Sequence, residues 1–225
     1  MSQVTVDVWS DIACPWCYIG KRKFEAGVAQ FGDPDSVKVT YHSFELAPDT
    51  PVDFEGSELD FLAQHKGMPP AQVKQMLAQV SGIAAQEGLD YDFDSVRHTK
   101  TLKAHELLHF AKSQGRQVEM AERLFSAYFT EGAHVGHVDD LADLAADIGL
   151  DRDAALAALT TGEYADAVAA DIDTARGYGI NGVPFYVIDG RYGVSGAQPA
   201  EVFADVLRTV AAEHAASGEP VGEDA

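Results

Sequence analysis

Strand-forming sequence is confined to the two ends of this chain, and what lies between has the period of helices. Residues 3–9, QVTVDVW, set Val4, Val6 and Val8 on alternate positions, which puts them on one face of a strand. Residues 36–46, SVKVTYHSFEL, read as a second strand closed by APDTP. Between them Phe24, Val28 and Phe31, four and three apart, form one apolar helical stripe that stops at Gly32. From residue 57 to 178 the pattern is helical throughout, broken by KGMPPAQ, EGLDYDFDS, SQGRQ, EGAHVGHVDD and GLDRDAA, and six or seven helices are expected. The strand signal returns in INGVPFYVIDGRYGVSG, where Val183–Ile188 and Arg191–Val194 flank the hairpin pair Asp189-Gly190. A last amphipathic helix is expected from about Pro199 to His214, with AASGEPVGEDA as a frayed tail.

This order, βαβ then helices then ββα, describes an α/β fold interrupted by a helical insertion. Strands from both ends complete one sheet most simply, so residues 1–56 and 179–225 are expected to form one discontinuous domain, with 57–178 inserted. That topology brings the hairpin beginning at Pro184 toward the first strand-to-helix junction.

The junction holds the only two cysteines of the 225 residues, Cys14 and Cys17, in SDIACPWCYIGKRKF. Two thiols at this spacing close a small disulfide, supply half of a metal site, or are neighbours by chance. A free thiol has a pKa of about 8.5 and is mostly protonated near neutral pH, so exchange chemistry needs something that favours the thiolate. The N-terminus of a helix does so, through unpaired N–H groups and the positive end of its dipole. Pro15 suits the first helical position, where its missing N–H costs nothing. Cys14 is then placed for activation, and Cys17, one turn inside, is expected to be more shielded. A zinc site would need two further ligands from His or acidic side chains. A chance buried pair would have no need of the junction or of Pro15-Trp16. The redox reading is the one these residues favour.

Composition removes several other classes. With 46% hydrophobic residues the chain can bury a large core, while a formal charge of −20 opposes binding to nucleic acid or to an anionic membrane surface. No basic leader with an apolar run precedes the first strand, and no apolar stretch is long enough to cross a bilayer. A cytoplasmic location is expected, where a lone close pair of cysteines is more often catalytic, redox-sensing or metal-binding than a structural staple.

Taken in order, DVWSDIACPWCYIGK, SFELAP, TLKAHELLHFA, GVPF and GAQP resemble the thioredoxin-fold DsbA family, in particular its cytosolic FrnE-like branch, over nearly the whole chain. The resemblance implies a thioredoxin-like fold and a thiol–disulfide oxidoreductase or isomerase. It implies Cys14 as nucleophile, Cys17 as resolving thiol, and Pro184 in a cis peptide facing them. Val183 would then offer its backbone to a bound substrate, with Pro15, Trp16 and His105 as further substrate contacts. No cofactor and no metal are expected. The partner is a thiol- or disulfide-containing protein or small molecule, with glutathione or another thiol as the reductant. The sequence departs from the family where an Asn-Thr pair often precedes the His: here those positions are Lys100 and Thr101, and Lys100 and Lys103 would alter charge near the dithiol if their helix lined the groove. Asp11 either influences thiol protonation or caps the loop.

Two other motifs compete. HELLH, residues 105–109, matches the zinc-protease pattern with His105, His109 and Glu106, but it lacks a well-spaced third ligand, Glu131 being a loose candidate. HVGHVDD, with His134, His137, Asp139 and Asp140, reads as a loop entering a capped helix more than as a metal cluster. Phe125, Tyr128 and Phe129 are expected to pack the insertion, with a share in a substrate groove. The rival functions are a glutathione-dependent isomerase or transferase of a small aromatic metabolite, a holdase using the insertion groove, and a zinc hydrolase.

Overall fold

The computed structural model describes residues 3–217. Strand β1 (Val4–Ser10) buries Val4, Val6 and Val8 and lies inside a four-stranded sheet of order β2-β1-β3-β4. It runs parallel to β2 (Val37–Ser43), from Val4 opposite Val37 to Ser10 opposite Ser43. It runs antiparallel to β3 (Phe185–Ile188), from Val6 opposite Ile188 to Trp9 opposite Phe185. The sheet interior therefore joins the two ends of the chain. β3 and β4 (Tyr192–Ser195) form the expected hairpin, with Asp189 at φ 54° and Gly190 at φ 65°, the paired left-handed residues of the tight turn that matches strand twist.

β2 is shorter than its sequence pattern. A 3-10 turn at Pro34–Ser36 precedes it, and past the last ladder bond, Phe44 N–H to Ser10 O (3.1 Å), Leu46 N–H turns out of the sheet to donate to Asp11 Oδ2 (2.8 Å). These bonds fold residues 44–46 across the end of β1, where Cys14 begins its helix.

That helix, α1 (Pro15–Phe31), packs along α9 (Ala200–Ser217). Contact is close because residue 27 is glycine: a Cβ there would lie 2.6 Å from Phe203 Cβ and 2.7 Å from Ala200 O. Ala215–Ser217, expected in a frayed tail, continue α9, and the rest of that tail lies outside the described residues.

Seven helices fill the middle of the chain: α2 (Glu58–Lys66), α3 (Pro70–Gln86), α4 (Leu102–Ser113), α5 (Gln117–Thr130), α6 (Val138–Asp147), α7 (Arg152–Thr161) and α8 (Ala165–Gly177). α2 starts with a reciprocal Ser57–Asp60 capping box, and Asp151 Oδ1 caps α7 by accepting from Ala154 N–H at 2.9 Å. The expected side-chain cap at HVGHVDD is not formed. His137 occupies the cap position without capping, Asp139 Oδ1 lies 3.5 Å from Arg152, and Asp140 Oδ2 lies 3.5 Å from His137 Nδ1. Lys100 and Thr101 also fall before α4, not within it. None of these helices is long and apolar enough to cross a membrane.

The helical segment shares its core with the sheet side. Phe125, Tyr128 and Phe129 of α5 are buried, and Phe125 stacks on Tyr18 of α1 with ring centroids 5.1 Å apart. On the far edge of the sheet, Asp171 of α8 accepts from Ser43 N–H (2.8 Å) and pairs with His42 (2.7 Å), while Trp9 Nε1–H donates to the Asp171 carbonyl (3.1 Å).

Candidate active site

Cys14 is the N-cap of α1, in extended conformation (φ −92°, ψ 111°), and Pro15 is the first helical residue. Cys14 N–H donates to Asp11 O (3.1 Å) and Cys17 N–H to Cys14 O (3.0 Å), so a short turn fixes both cysteines at the helix start. Both are reduced and buried, at 4% and 2% exposure, so the expected contrast in shielding is not one of exposed area. They differ in what they face: Cys14 lies in the wall of a cavity and Cys17 does not. Burial, reinforced by the neighbouring Cys14, pushes the Cys17 thiol well above its ordinary range, against smaller opposing effects of Ser10 and the Asp11 backbone.

The Val183–Pro184 peptide bond is cis. Cys14 Sγ–H donates to Val183 O across 3.5 Å, which joins positions 169 residues apart. α1 can approach this loop because residue 20 has no side chain: a Cβ there would lie 2.9 Å from Pro184 Cγ and 2.7 Å from Tyr186 Oη. Pro15 is half-buried and holds its carbonyl against Tyr91 Oη–H at 2.7 Å, while Trp16 stands exposed at the rim. The structure thus gathers Cys14, Cys17, Pro15, Trp16, Val183 and Pro184 at one place.

His105 is not part of this group. It is fully buried in α4, with Nε2 3.4 Å from Asp11 Oδ1, and it is not among the residues that line the cavity beside Cys14. Of the two readings of Asp11, the hydrogen bonds display the cap. Its carboxylate accepts from Ala13 N–H (3.3 Å), Leu46 N–H (2.8 Å) and Thr101 Oγ1–H (2.8 Å). Burial alone would raise its pKa, but His105 and these donors outweigh that and hold it below the usual range.

The HELLH side chains have three separate partners. His105 faces Asp11, Glu106 pairs with Lys103 (3.0 Å), and His109 Nε2 meets Asp171 Oδ2 (2.9 Å). Lys103 also donates to Leu159 O (2.7 Å) and Lys100 to Pro48 O, so neither cation lines the cavity.

The cavity has a volume of about 450 Å³. Residues 13–16 of the cysteine turn form one wall, α2 and α3 form another through Phe61, Leu62, Met76, Leu77 and Val80, and Phe93 and His98 come from the segment before α4. Phe125, Tyr128 and Phe129 are not among the lining residues, so their expected share in a groove is not found. Glu58 and His98, both buried, form a pair in the wall, with Nδ1 2.8 Å from Glu58 Oε2. The sequence reading missed this pair. Its only local sign was an acid at the first position of an N-capped helix, where acids are ordinary.

Among the described residues, Asp53, His134 and His137 bring three donor atoms within 4.8 Å of one another. Those atoms already serve each other. His137 Nε2 lies 2.7 Å and His134 Nε2 3.6 Å from Asp53 Oδ1, the two rings stack at 3.7 Å, and His134 Nδ1 accepts from Gly136 N–H. A metal-ligating imidazole normally donates through its second nitrogen, and His134 does the reverse.

A family model described as a DSBA-like thioredoxin domain matches residues 5–208. YwbO of Bacillus subtilis is 30% identical over 206 residues, 91% of this chain and 96% of that protein. Among solved structures, a probable DsbA oxidoreductase from Streptomyces coelicolor is 38% identical with a TM-score of 0.85, covering 99% of this chain and 94% of that one. The cytosolic disulfide reductase DsbM from Pseudomonas aeruginosa, solved with GSH, shares the fold at 20% identity and a TM-score of 0.63, covering 92% and 99%. With the matched region reaching from β1 into α9 and enclosing both the cysteine turn and the cis-proline loop, the chain belongs to the DsbA-like thioredoxin domain family.

Proposed function

We propose that the protein is a thiol–disulfide oxidoreductase whose nucleophile is Cys14 and whose resolving thiol is Cys17. The observation that carries this is the placing of Cys14 at the start of α1, 3.5 Å from Val183 O beside the cis Pro184, with Cys17 buried one turn behind. In the reducing direction, Cys14 loses its proton and attacks one sulfur of a substrate disulfide, giving a mixed disulfide and releasing the other sulfur as a thiolate that takes up a proton. Cys17 then loses its proton, attacks Cys14 Sγ and expels the second thiolate. Two electrons pass from the dithiol to the substrate, and Cys14–Cys17 becomes a disulfide. Burial keeps Cys17 protonated during the first step, so one thiol captures and the other waits.

Ionisation of Cys14 also changes what the loop offers. A thiolate cannot donate, so Val183 O loses its present partner and becomes free to accept from a substrate N–H. A thiol such as glutathione would reset the enzyme, and a cytoplasmic setting would favour reduction or isomerisation of disulfides. The test is Cys17→Ser incubated with a disulfide substrate. A reductant-sensitive adduct on Cys14 is expected, and its absence under conditions where wild type turns over would remove the mechanism.

A further inference from the structure

The chain contains a single asparagine, Asn181, and a glycine follows it. The pair lies between α8 and β3, outside helix and strand, and both residues are exposed. Asparagine is a thermolabile residue, and a following glycine makes it more so: without a Cβ, the glycine's main-chain nitrogen readily reaches the preceding side-chain carbonyl carbon. Beyond its two chain neighbours, a Cβ built on Gly182 would meet no described atom within 4 Å, so the approach is open. One bond opposes it. Asn181 Nδ2–H donates to Gly179 O (3.0 Å), and breaking this exposed bond slows the reaction by no more than about tenfold.

The neighbours decide what such a reaction changes. The bridge from Ile180 to Pro184 is fixed at both ends. Ile180 is buried, and its N–H donates to Ala175 O (2.9 Å). Pro184 is buried as well, its carbonyl accepts from Gly196 N–H (2.8 Å), and it lies so close to α1 that a Cβ on Gly20 would stand 2.9 Å from its Cγ. Any lengthening of the main chain at Asn181 must therefore be taken up within residues 181–183, and Val183 O is the atom 3.5 Å from Cys14 Sγ.

We infer that Asn181 is a site of spontaneous deamidation and isoaspartate formation that displaces the Val183 carbonyl. Gly182 N attacks Asn181 Cγ; the new C–N bond closes a five-membered succinimide, the Cγ–Nδ2 bond breaks, and ammonia leaves with the proton from Gly182 N. Water then adds to one of the two ring carbonyls. Opening at one C–N bond gives aspartate with the main chain unchanged. Opening at the other routes the main chain through Cβ and Cγ, which gives isoaspartate and one extra main-chain atom. Nothing is oxidised or reduced, and water is the only co-reactant. The consequence for catalysis rests on the thiol–disulfide reading above, in which Val183 O accepts from a substrate N–H.

In the test, the full chain is incubated at pH 8 beside a synthetic peptide of residues 177–185 and mapped by peptide mass spectrometry, with an isoaspartyl methyltransferase marking isoaspartate. Conversion at Asn181 is expected within about tenfold of the peptide's rate, and Asn181→Gln is expected to stay unconverted. A folded chain that keeps its amide while the peptide converts would overturn the site. The isoaspartyl form, separated by its added charge, is then compared with fresh protein for kcat/KM on a peptide disulfide and on dimethyl disulfide, which has no main chain to dock. The peptide-to-dimethyl ratio is expected to fall about three- to tenfold, the worth of one hydrogen bond. It is expected to stay near the wild-type value in freshly prepared Asn181→Asp, which adds the charge without the extra atom. An unchanged ratio, or an equal fall in Asn181→Asp, would overturn the displacement of Val183. Exchange with neither disulfide by fresh protein would overturn the dithiol reading and the catalytic consequence together, while conversion read by mass would still decide the modification.

Discussion

His42 and Asp171, 129 residues apart in sequence, meet at 2.7 Å and tie the edge strand of the sheet to the last helix of the insertion. Burial disfavours the His42 imidazolium, but hydrogen bonds to Asp171 and to Asp7 outweigh it and lift its pKa from 6.5 to about 9. Burial likewise raises the Asp171 carboxyl, while His109 and His42 together hold it far below 3.8. The raised His42 pKa stabilises the fold fully below pH 6.5, and that stabilisation disappears as pH rises through about 9. The depressed Asp171 pKa stabilises above pH 3.8, and that contribution disappears on acidification. Thermal unfolding of wild type and His42→Gln should therefore differ most between about pH 4.5 and 6.5, on the order of 2 kcal/mol, and converge by about pH 9.5. A difference independent of pH would show that the pair acts through shape alone.

The two cysteines should separate under alkylation. Because burial and the adjacent Cys14 push the Cys17 thiol up, iodoacetamide at pH 8 should label Cys14 at least about tenfold faster, as peptide mass spectrometry would read. Equal labelling would contradict the division into capturing and resolving thiols.

Gly27→Ala sets two effects against each other. Alanine improves helix propensity by about 1 kcal/mol. Its methyl, however, would sit 2.6 Å from Phe203 Cβ and 2.7 Å from Ala200 O, the second of which is backbone. Overpacking of this kind costs about 1–3 kcal/mol, so urea denaturation should show a net loss of roughly 1 kcal/mol. A net gain would mean that α9 can shift away from α1.

Tyr91→Phe removes the hydroxyl that donates to Pro15 O at 2.7 Å. The expected loss is about 1 kcal/mol of stability with the Cys17→Ser adduct still forming, because the bond fixes the carbonyl of the first helical residue and touches neither sulfur. Chemical denaturation and the trapping experiment together read both parts.

What the sequence made legible follows from short-range repeats. Val4, Val6 and Val8 identify β1, the stripe from Phe24 to Phe31 identifies α1, and Asp189-Gly190 identifies the hairpin, because each pattern is a local backbone requirement. The gathering of Cys14 with Val183 and Pro184 was also within reach, since it follows from sheet order and a family resemblance. What remained hidden depended on distant partners. β2 ends at Ser43 because Asp11 captures Leu46 N–H, and no periodicity within residues 36–46 contains that information. His105 belongs to a helix of which residues 104–111 are all buried, which no local pattern announces. The Glu58–His98 pair joins residues 40 apart through the packing of α2 against the segment before α4.

The cavity described above draws its walls from two distant stretches of chain: α1 brings the sulfur, and α2 and α3 bring the surfaces that face it. Under the proposed thiol–disulfide reading, reactivity and substrate recognition would thus be encoded separately along the polypeptide. Exchange of side chains between residues 61 and 80 could redirect the enzyme to a new client while its electron-transfer chemistry stayed intact.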